Sequence, residues 1–194
     1  MKKLWTYHYQ KGLRSCLVSK NILTKDNFLY FTLCYDKKGF YESLLLQYNR
    51  ETAQARVLFQ EEHVIGSLGI YENGNFYFTS MSGNIYCIGE EGEEKWKIPI
   101  GHGNADPYII CDTDRIYAAN HGLYCINMEK GEIIWKNEEK RDKTACKFAI
   151  NHRYIYHAGL DSSIRCINKE TGKTVWEYGK NLYISSCTLI DKNI

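Results

Sequence analysis

Apolar and polar residues alternate along most of this chain in short runs that Asn- or Gly-containing turns separate. The pattern is clearest from Leu123 to Trp135, where an alternating run leads into a turn and a second apolar run ends in tryptophan. The same pattern recurs almost unchanged from Ile164 to Trp176, and in a shorter form from Ile85 to Trp96. Alternation of this kind predicts a β-hairpin with one buried face, and its recurrence predicts a repeat architecture.

The hairpin is the second half of a longer unit of four predicted strands. An apolar residue followed by tyrosine marks the second strand of each unit, as in Leu29-Tyr30, Phe76-Tyr77, Ile116-Tyr117 and Ile155-Tyr156. Units recur about every 40 residues, a spacing typical of propeller blades. The predicted units are residues 13–60, 66–99, 107–137 and 146–179, within a single domain of 1–194. Residues 3–9 resemble the last strand of a unit, and residues 182–194 resemble the start of another.

Four short antiparallel strands in each repeat describe a β-propeller blade. No stretch of about ten residues has the 3.6-residue apolar period of a helix, which argues against a helical solenoid. We therefore predict an all-β, propeller-like fold with about four four-stranded antiparallel blades plus unpaired terminal strands. The first unit is degenerate, because Gln47 stands where later units have cysteine and Val57 stands where they have tryptophan.

The predicted array has open ends. Four blades in an arc would expose two sheet faces and their strand edges, which folded proteins generally avoid. The chain can be part of a longer propeller, or two copies can join head to tail and share a mixed blade, or four blades can close tightly alone. Because a heterologous contact can close by rotation, we expect an incomplete propeller that self-associates.

The motif apolar-x-Cys-Ile-Asn-x-x-x-Gly-x-x-x-Trp in the two best copies resembles the repeat of pyrroloquinoline-quinone-type propellers. That superfamily includes quinoprotein alcohol dehydrogenases and the propeller lipoprotein of outer-membrane assembly. Its members usually have alanine where this chain has Cys125 and Cys166, and aspartate where it has Asn127 and Asn168. The resemblance covers nearly the whole chain and implies a fold more than a function, since propellers carry many unrelated activities.

The resemblance also implies roles for particular residues. The family's tryptophan packs against the next blade, which implies a docking role for Trp5, Trp96, Trp135 and Trp176. Gly131 and Gly172 would adopt the positive φ of a tight turn, and Ala53 departs from that pattern. The enzyme members place a vicinal cysteine pair over the quinone, whereas this sequence has no adjacent cysteines and no recognisable quinone or calcium ligands. We therefore expect no cofactor.

The charge, the cysteines and the N-terminus of the chain bear on its binding partners and on its compartment. The formal net charge of +2 is too small to suggest electrostatic capture of nucleic acid or of an anionic membrane. Eight cysteines are spread without a Cys-x-x-Cys pair, and three of them (Cys87, Cys125 and Cys166) occupy the same repeat position. We interpret these three as small buried apolar residues rather than disulfide partners or metal ligands. The N-terminus lacks the apolar run of a signal peptide, so we expect a cytoplasmic protein.

Candidate chemistry is confined to the predicted loops. The segment from Gly101 to Pro107, which connects two predicted units, contains His102 and Asp106, and His121 lies in a loop of the following unit that we expect to project from the same face. These side chains could share a metal, or act as a base and the group that orients it. The alternative is an ordinary connection between blades, because one imidazole and one carboxylate do not define a site. No metal is assigned.

Two functions of different class follow. The first is a non-catalytic propeller scaffold that binds a protein or peptide, or a second copy that completes the propeller. The second is an enzyme or a small-ligand or metal binder that uses a central channel, with His102, Asp106 and His121 as its candidate residues. The lack of a recognisable catalytic motif favours the first.

Overall fold

A computed structural model describes residues 16–18, 22–37, 39–70, 73–101, 108–120, 122–138, 148–158 and 163–179. Within these ranges all regular structure is β-strand, which confirms the predicted fold class. The described residues include no helix with the length and hydropathy needed to cross a membrane. The predicted terminal strands, 3–9 and 182–194, lie outside the described residues.

The strands form four antiparallel sheets in chain order. Sheet 1 contains β1 (Cys16–Val18), β2 (Leu23–Lys25), β3 (Phe28–Lys37), β4 (Phe40–Asn49) and β5 (Ala55–Glu61). Sheet 2 contains β6 (Ile65–Ile70), β7 (Phe76–Ser80), β8 (Asn84–Ile88) and β9 (Glu94–Pro99). Sheet 3 contains β10 (Tyr108–Asp112), β11 (Arg115–Ala119), β12 (Leu123–Asn127) and β13 (Ile133–Asn137). Sheet 4 contains β14 (Phe148–Ile150), β15 (Tyr154–Ala158), β16 (Ile164–Asn168) and β17 (Thr174–Tyr178).

The turn between the third and fourth strands is built the same way in three of the sheets. In sheet 3 the Asn127 side chain accepts the backbone N–H groups of Glu129 and Lys130 at 3.1 and 2.8 Å. Gly131 then closes the turn with a φ of +70°, a conformation that costs glycine little. Asn168 and Gly172 repeat this arrangement in sheet 4, and Asn49 repeats it in sheet 1.

A bulge after each turn brings tryptophan opposite cysteine. The register pairs Cys87 with Trp96, Cys125 with Trp135 and Cys166 with Trp176, with an extra residue in the outer strand. Cross-strand partners point to the same face of a sheet. Each cysteine is also paired with the tyrosine of the second strand. The result is a row of three side chains, the Tyr–Cys–Trp row, on one face of sheets 2, 3 and 4.

The apolar core consists of layers between successive sheets. One layer joins Tyr30 and Leu45 of sheet 1 to Phe76 and Phe78 of sheet 2. Corresponding layers lie between sheets 2 and 3 and between sheets 3 and 4. A fourth cluster, which includes Leu29, Phe31 and Leu46, lies on the face of sheet 1 that points away from sheet 2. Its residues are buried, yet no other described sheet contributes to it.

Sheet 1 differs from the other sheets in three places. Its strands β3 and β4 have ten residues each and are longer than those of the other sheets. A short additional strand, β2, precedes Phe28 and shares the first position of the sheet with β1. The bulge falls between Leu45 and Leu46 of β4, two residues further from the following turn than the bulges of sheets 3 and 4.

The displaced bulge corrects the prediction for Val57. Counting from the turn places Val57 at the tryptophan position, but its side chain is 48% exposed and it pairs with Leu46 on the opposite face. Arg56 instead lies across from Gln47, and Phe59 enters the layer between sheets 1 and 2. The rings of Phe78 and Tyr86 lie 5.5 and 5.4 Å from that of Phe59.

Candidate functional site

The contact between sheets 2 and 3 centres on Trp96. Its indole N–H donates to the carbonyl of Met128 in the turn of sheet 3, at 3.2 Å. A Cβ built on Gly131 in the same turn would lie 2.7 Å from Cδ2 of the indole. Because a real Cβ does not come so close to a ring atom, the tryptophan can rest on this turn only if the residue beneath it is glycine.

Trp135 repeats the contact between sheets 3 and 4. Its indole N–H donates to the carbonyl of Lys169 at 3.1 Å, and a Cβ on Gly172 would lie 2.5 Å from the ring. In both contacts the accepting carbonyl lies three residues before the glycine. The docking site is therefore defined by a tryptophan on one sheet, and by a glycine and a carbonyl on the next.

Sheet 1 contacts sheet 2 by a different arrangement. Arg56, which lies across from Gln47, forms an ion pair with Glu91 at 2.9 Å. Gly92, next to Glu91, packs on the backbone carbonyl of Leu58, where an added Cβ would lie 2.2 Å from the oxygen. A turn glycine therefore lies at this contact too, but it packs on a main-chain carbonyl instead of an indole ring.

Trp176 carries the same row on sheet 4 with no described sheet against it. The row consists of Tyr156, Cys166 and Trp176, and the rings of Tyr156 and Trp176 lie 6.3 Å apart. The corresponding rings of Tyr117 and Trp135 are 6.1 Å apart, so the two rows have the same geometry. Trp176 is 45% exposed, whereas Trp96 and Trp135 are both half-buried.

We call the side of sheet 4 that carries this row its outer face. The cross-strand pairs place Ala158, Ile164 and Tyr178 on it as well. Tyr178 is 70% exposed, and Ile164 is half-buried where its counterpart Leu123 is buried. The outer face is therefore an apolar surface with the composition of a sheet-to-sheet contact.

Charged residues accompany the turns at the described contacts. Lys25, the last residue of β2 in sheet 1, forms an ion pair with Glu90 in the turn between β8 and β9 of sheet 2, at 3.0 Å. In sheet 3 the equivalent residue is Asp112, which forms an ion pair with Lys169 of the next turn. Arg115 adds a contact to Glu170 at 2.8 Å. At the contacts of sheet 1 with sheet 2 and of sheet 3 with sheet 4, charged side chains thus pair with turn residues of opposite charge.

The buried carboxyl group of Glu61, the last residue of β5, lies at the contact between sheets 1 and 2. Glu61 accepts hydrogen bonds from the Ser80 hydroxyl at 2.9 Å and from the Tyr86 hydroxyl at 2.8 Å. His63 Nδ1 lies 3.5 Å from the same carboxyl group. Burial is the main cause that raises the pKa of Tyr86 above its ordinary value, and its bond to Glu61 acts in the same direction. The cluster satisfies its own polar groups, which suits a structural role.

The cysteines of the row are buried and unpaired, as predicted. Cys87, Cys125 and Cys166 are free thiols, each at most 2% exposed. Burial raises the pKa of the Cys87 and Cys125 thiols to about 11, and it also raises that of Cys166. A thiol is nucleophilic only as the thiolate, so these side chains serve as packing groups at neutral pH.

The candidate residues His102, Asp106 and His121 lie outside the described residues, and so does Trp5. Within the described ranges no group of three His, Cys, Asp or Glu side chains is arranged to hold a metal ion. Asn120, at the end of β11 and next to His121 in the chain, is fully buried, and neither its Nδ2 nor its Oδ1 has a hydrogen-bond partner. No motif in the sequence includes Asn120, so nothing predicted its burial.

Comparisons with known proteins identify the fold. No family model matches the chain, and no curated protein matches it. Among solved structures, the computationally designed protein Ika8 matches with a TM-score of 0.64 and 11% identity, over 88% of this chain and 64% of its own. BamB from Moraxella catarrhalis matches with a TM-score of 0.57 and 16% identity, over 87% of this chain and 51% of its own. A europium-containing methanol dehydrogenase matches with a TM-score of 0.59 and 12% identity, over 87% of this chain and 44% of its own.

The matches establish a β-propeller-like architecture, in which the described strands form four separate antiparallel sheets. The chain spans less than two thirds of the length of each of these three structures. At identities this low the likeness concerns the fold alone, and activity has to be argued from this chain's own residues.

Proposed function

We propose that this chain is a non-catalytic interaction scaffold, related to the pyrroloquinoline-quinone-type propellers, that binds a protein partner through the outer face of sheet 4. The observation that carries the proposal is the intact Tyr156–Cys166–Trp176 row, whose tryptophan is 45% exposed. Two identical rows in the same chain are covered by sheets. A large apolar patch on a folded surface commonly marks a protein interface.

Two occupants of this face follow from the sequence: a separate protein or peptide, and a second copy that completes the propeller. The apolar character of the face suits either. We propose that the protein resides in a reducing cytoplasm. The five cysteines whose surroundings the structure describes are all free thiols, and disulfides are rare in that compartment.

The test compares partner binding by the wild type, Trp176→Ala and the matched control Tyr41→Ala. Tyr41 is 53% exposed on sheet 1 and lies far from the proposed face in the chain. A partner that co-purifies in fixed stoichiometry should bind the wild type and Tyr41→Ala with equal affinity. Binding to Trp176→Ala should fall at least about tenfold, because an aromatic anchor often dominates an interface. Equal binding by all three proteins would contradict the proposal.

A small-ligand or metal site remains the second candidate, because the side chain of Asn120 is buried without a partner beside His121. Buried amides normally have hydrogen bonds, and a bound molecule is one way to supply them. The variants His102→Ala and Asp106→Ala separate the candidates. A scaffold keeps its partner affinity in both, whereas a ligand site loses ligand binding measured by calorimetry.

A further inference from the structure

We propose that Asn73 is a self-modification site, where the backbone nitrogen of Gly74 displaces the side-chain amide and converts asparagine to aspartate and isoaspartate. The fold restrains this conversion through the buried hydroxyl group of Tyr77. The conversion, once it has occurred, weakens the contact between sheets 2 and 3. The inference is independent of the proposed function, which concerns the outer face of sheet 4.

Asn73 and Gly74 lie between β6 and β7 and form the only Asn-Gly pair in the sequence. Glycine has no side chain that would keep its backbone nitrogen away from the preceding residue. Attack of the Gly74 nitrogen on Cγ of Asn73 closes a five-membered cyclic imide and breaks the Cγ–Nδ2 bond. Nδ2 leaves as ammonia, with the proton of the attacking nitrogen. Water then opens the imide at one of its two carbonyl carbons, which yields aspartate or isoaspartate, so water is the only other reactant.

The surroundings of this pair are polar. Asn73 is exposed, and Gly74 has a φ of +79°. A Cβ added to Gly74 would lie 3.0 Å from Oε2 of Glu90 and 3.5 Å from Nζ of Lys25, and both of these side chains are exposed. Gly74 therefore borders exposed ionised groups rather than the apolar core, and water can reach an imide formed here.

Two hydrogen bonds hold the amide of Asn73. Its Oδ1 accepts the backbone N–H of Asn75 at 3.0 Å, and its Nδ2 donates to the hydroxyl group of Tyr77 at 3.2 Å. Because Nδ2 is the leaving group, its bond to Tyr77 has to break before ammonia can depart. Tyr77 is fully buried, so its hydroxyl group holds the amide for as long as the local structure stays closed.

The hydroxyl group of Tyr77 also connects Asn73 to sheet 3. It donates to the carbonyl of Met128 at 3.5 Å, and the same carbonyl accepts the indole N–H of Trp96 at 3.2 Å. A carboxylate at position 73 accepts hydrogen bonds but cannot donate one, so it would draw the Tyr77 proton away from Met128. Isoaspartate would also lengthen the main chain of the turn by one atom. Either product therefore weakens the contact on which Trp96 rests.

The first measurement follows the conversion at neutral pH by mass spectrometry of the peptide that contains Asn73, with electron-transfer fragmentation to distinguish isoaspartate from aspartate. Asn75 lies close by but is followed by Phe76, so it should keep its amide and serves as the internal control. We expect Asn73 to convert at least about tenfold more slowly in the native protein than in the chain unfolded in urea, because the native structure has to open first.

Tyr77→Phe tests the restraint. The substitution leaves Nδ2 of Asn73 without its acceptor, and conversion should accelerate about fivefold, which corresponds to the loss of one hydrogen bond. Tyr117→Phe is the matched control. Tyr117 occupies the corresponding position of sheet 3, is buried to the same degree and lies in the layer between sheets 3 and 4, so its substitution should leave the rate at Asn73 unchanged.

Asn73→Asp reproduces the aspartate product and tests its consequence for the contact. The solvent exchange of the Trp96 indole N–H, measured by ¹⁵N NMR and assigned through Trp96→Phe, should accelerate about fivefold when the acceptor at Met128 is perturbed. The indole N–H of Trp135 donates to Lys169 in the next contact, so its exchange in the same spectrum should not change.

Four results would overturn the proposal. An unfolded chain that keeps the amide of Asn73, or loses that of Asn75 equally fast, excludes a site defined by the Asn-Gly pair. Conversion that is as fast in the native as in the unfolded chain shows that the fold exerts no restraint. A rate in Tyr77→Phe equal to or below that of the wild type excludes the role of the hydroxyl group. Unchanged exchange of the Trp96 indole N–H in Asn73→Asp shows that the contact does not respond to the modification.

Discussion

The hairpins 123–135 and 164–176 have nearly the same sequence pattern and the same internal geometry, yet among the described residues a further sheet packs only on the first. Both have an Asn-capped turn, a glycine at φ near +70° and a bulge that sets tryptophan opposite cysteine. Trp135 rests on Gly172 and is half-buried, whereas Trp176 is 45% exposed. The row of side chains therefore has nearly the same geometry with and without a described sheet against it.

The comparison separates the local geometry of the hairpin from the contact that the hairpin makes with the next sheet. The turn, the bulge and the row of side chains are local features and recur wherever the motif recurs. Burial of the tryptophan is a property of the contact and depends on the next sheet. Substitutions at the contact between sheets 3 and 4, in Trp135 or in the Gly172 on which it rests, should therefore cost more stability than a substitution of Trp176.

Replacing Gly172 by alanine should have the largest effect. The new Cβ would lie 2.5 Å from the Trp135 ring, and the residue would have to keep a φ of +68°. We expect the free energy of unfolding to fall by about 3 kcal/mol, from backbone strain plus overpacking. Urea denaturation followed by far-ultraviolet circular dichroism measures the change.

Gly39→Ala is the matched control for that substitution. Gly39 has a φ of +93°, but a Cβ there would meet nothing within 4 Å. It should cost only the strain of the backbone, about 1 kcal/mol. Equal losses in Gly172→Ala and Gly39→Ala would show that contact with the tryptophan contributes nothing.

Much of this arrangement could be predicted from the sequence because the repeat is local. Alternation and turn residues predicted the strands of sheets 2 to 4 and the buried cysteines, since each depends on neighbours a few residues away. The positions of Phe59 and Arg56 were missed because the bulge of sheet 1 lies two residues further from the turn, and one residue of shift reverses the face of every side chain. Asn120 carries no motif, so its buried unpaired amide could not be foreseen.

The tryptophans themselves provide the second comparison. Trp135→Ala removes a ring that packs on Gly172 and donates to Lys169, so we expect a loss of about 3 kcal/mol. Trp176→Ala removes a ring that is 45% exposed, and the loss should be about 1 kcal/mol. Both are measured by urea denaturation at several protein concentrations. A loss for Trp176→Ala as large as that for Trp135→Ala would indicate that the outer face of sheet 4 is covered in solution.

The smallest expected effects concern the thiols of Cys125 and Cys166, which occupy the same position in two of the rows. Burial raises the pKa of Cys125 from 9.0 to about 11, so the neutral thiol is favoured in the folded protein. The unfolded chain then releases its proton at a lower pH than the folded chain, and stability falls as pH rises. This contribution is complete below pH 9 and is lost between about pH 9 and pH 11. Cys125→Ala should flatten the decline in the free energy of unfolding across that interval.

Cys166 occupies the same position on the outer face of sheet 4 and makes the contrast measurable. Burial raises its pKa too, but the sheet that covers Cys125 has no described counterpart over Cys166. A thiol reagent reaches a buried thiol only when the contact above it opens, so its rate reports the stability of that contact. We expect Cys166 to be labelled at least about tenfold faster than Cys125 in the native protein. Mass spectrometry of timed samples resolves the two sites, and equal labelling rates would mean that both faces are covered alike.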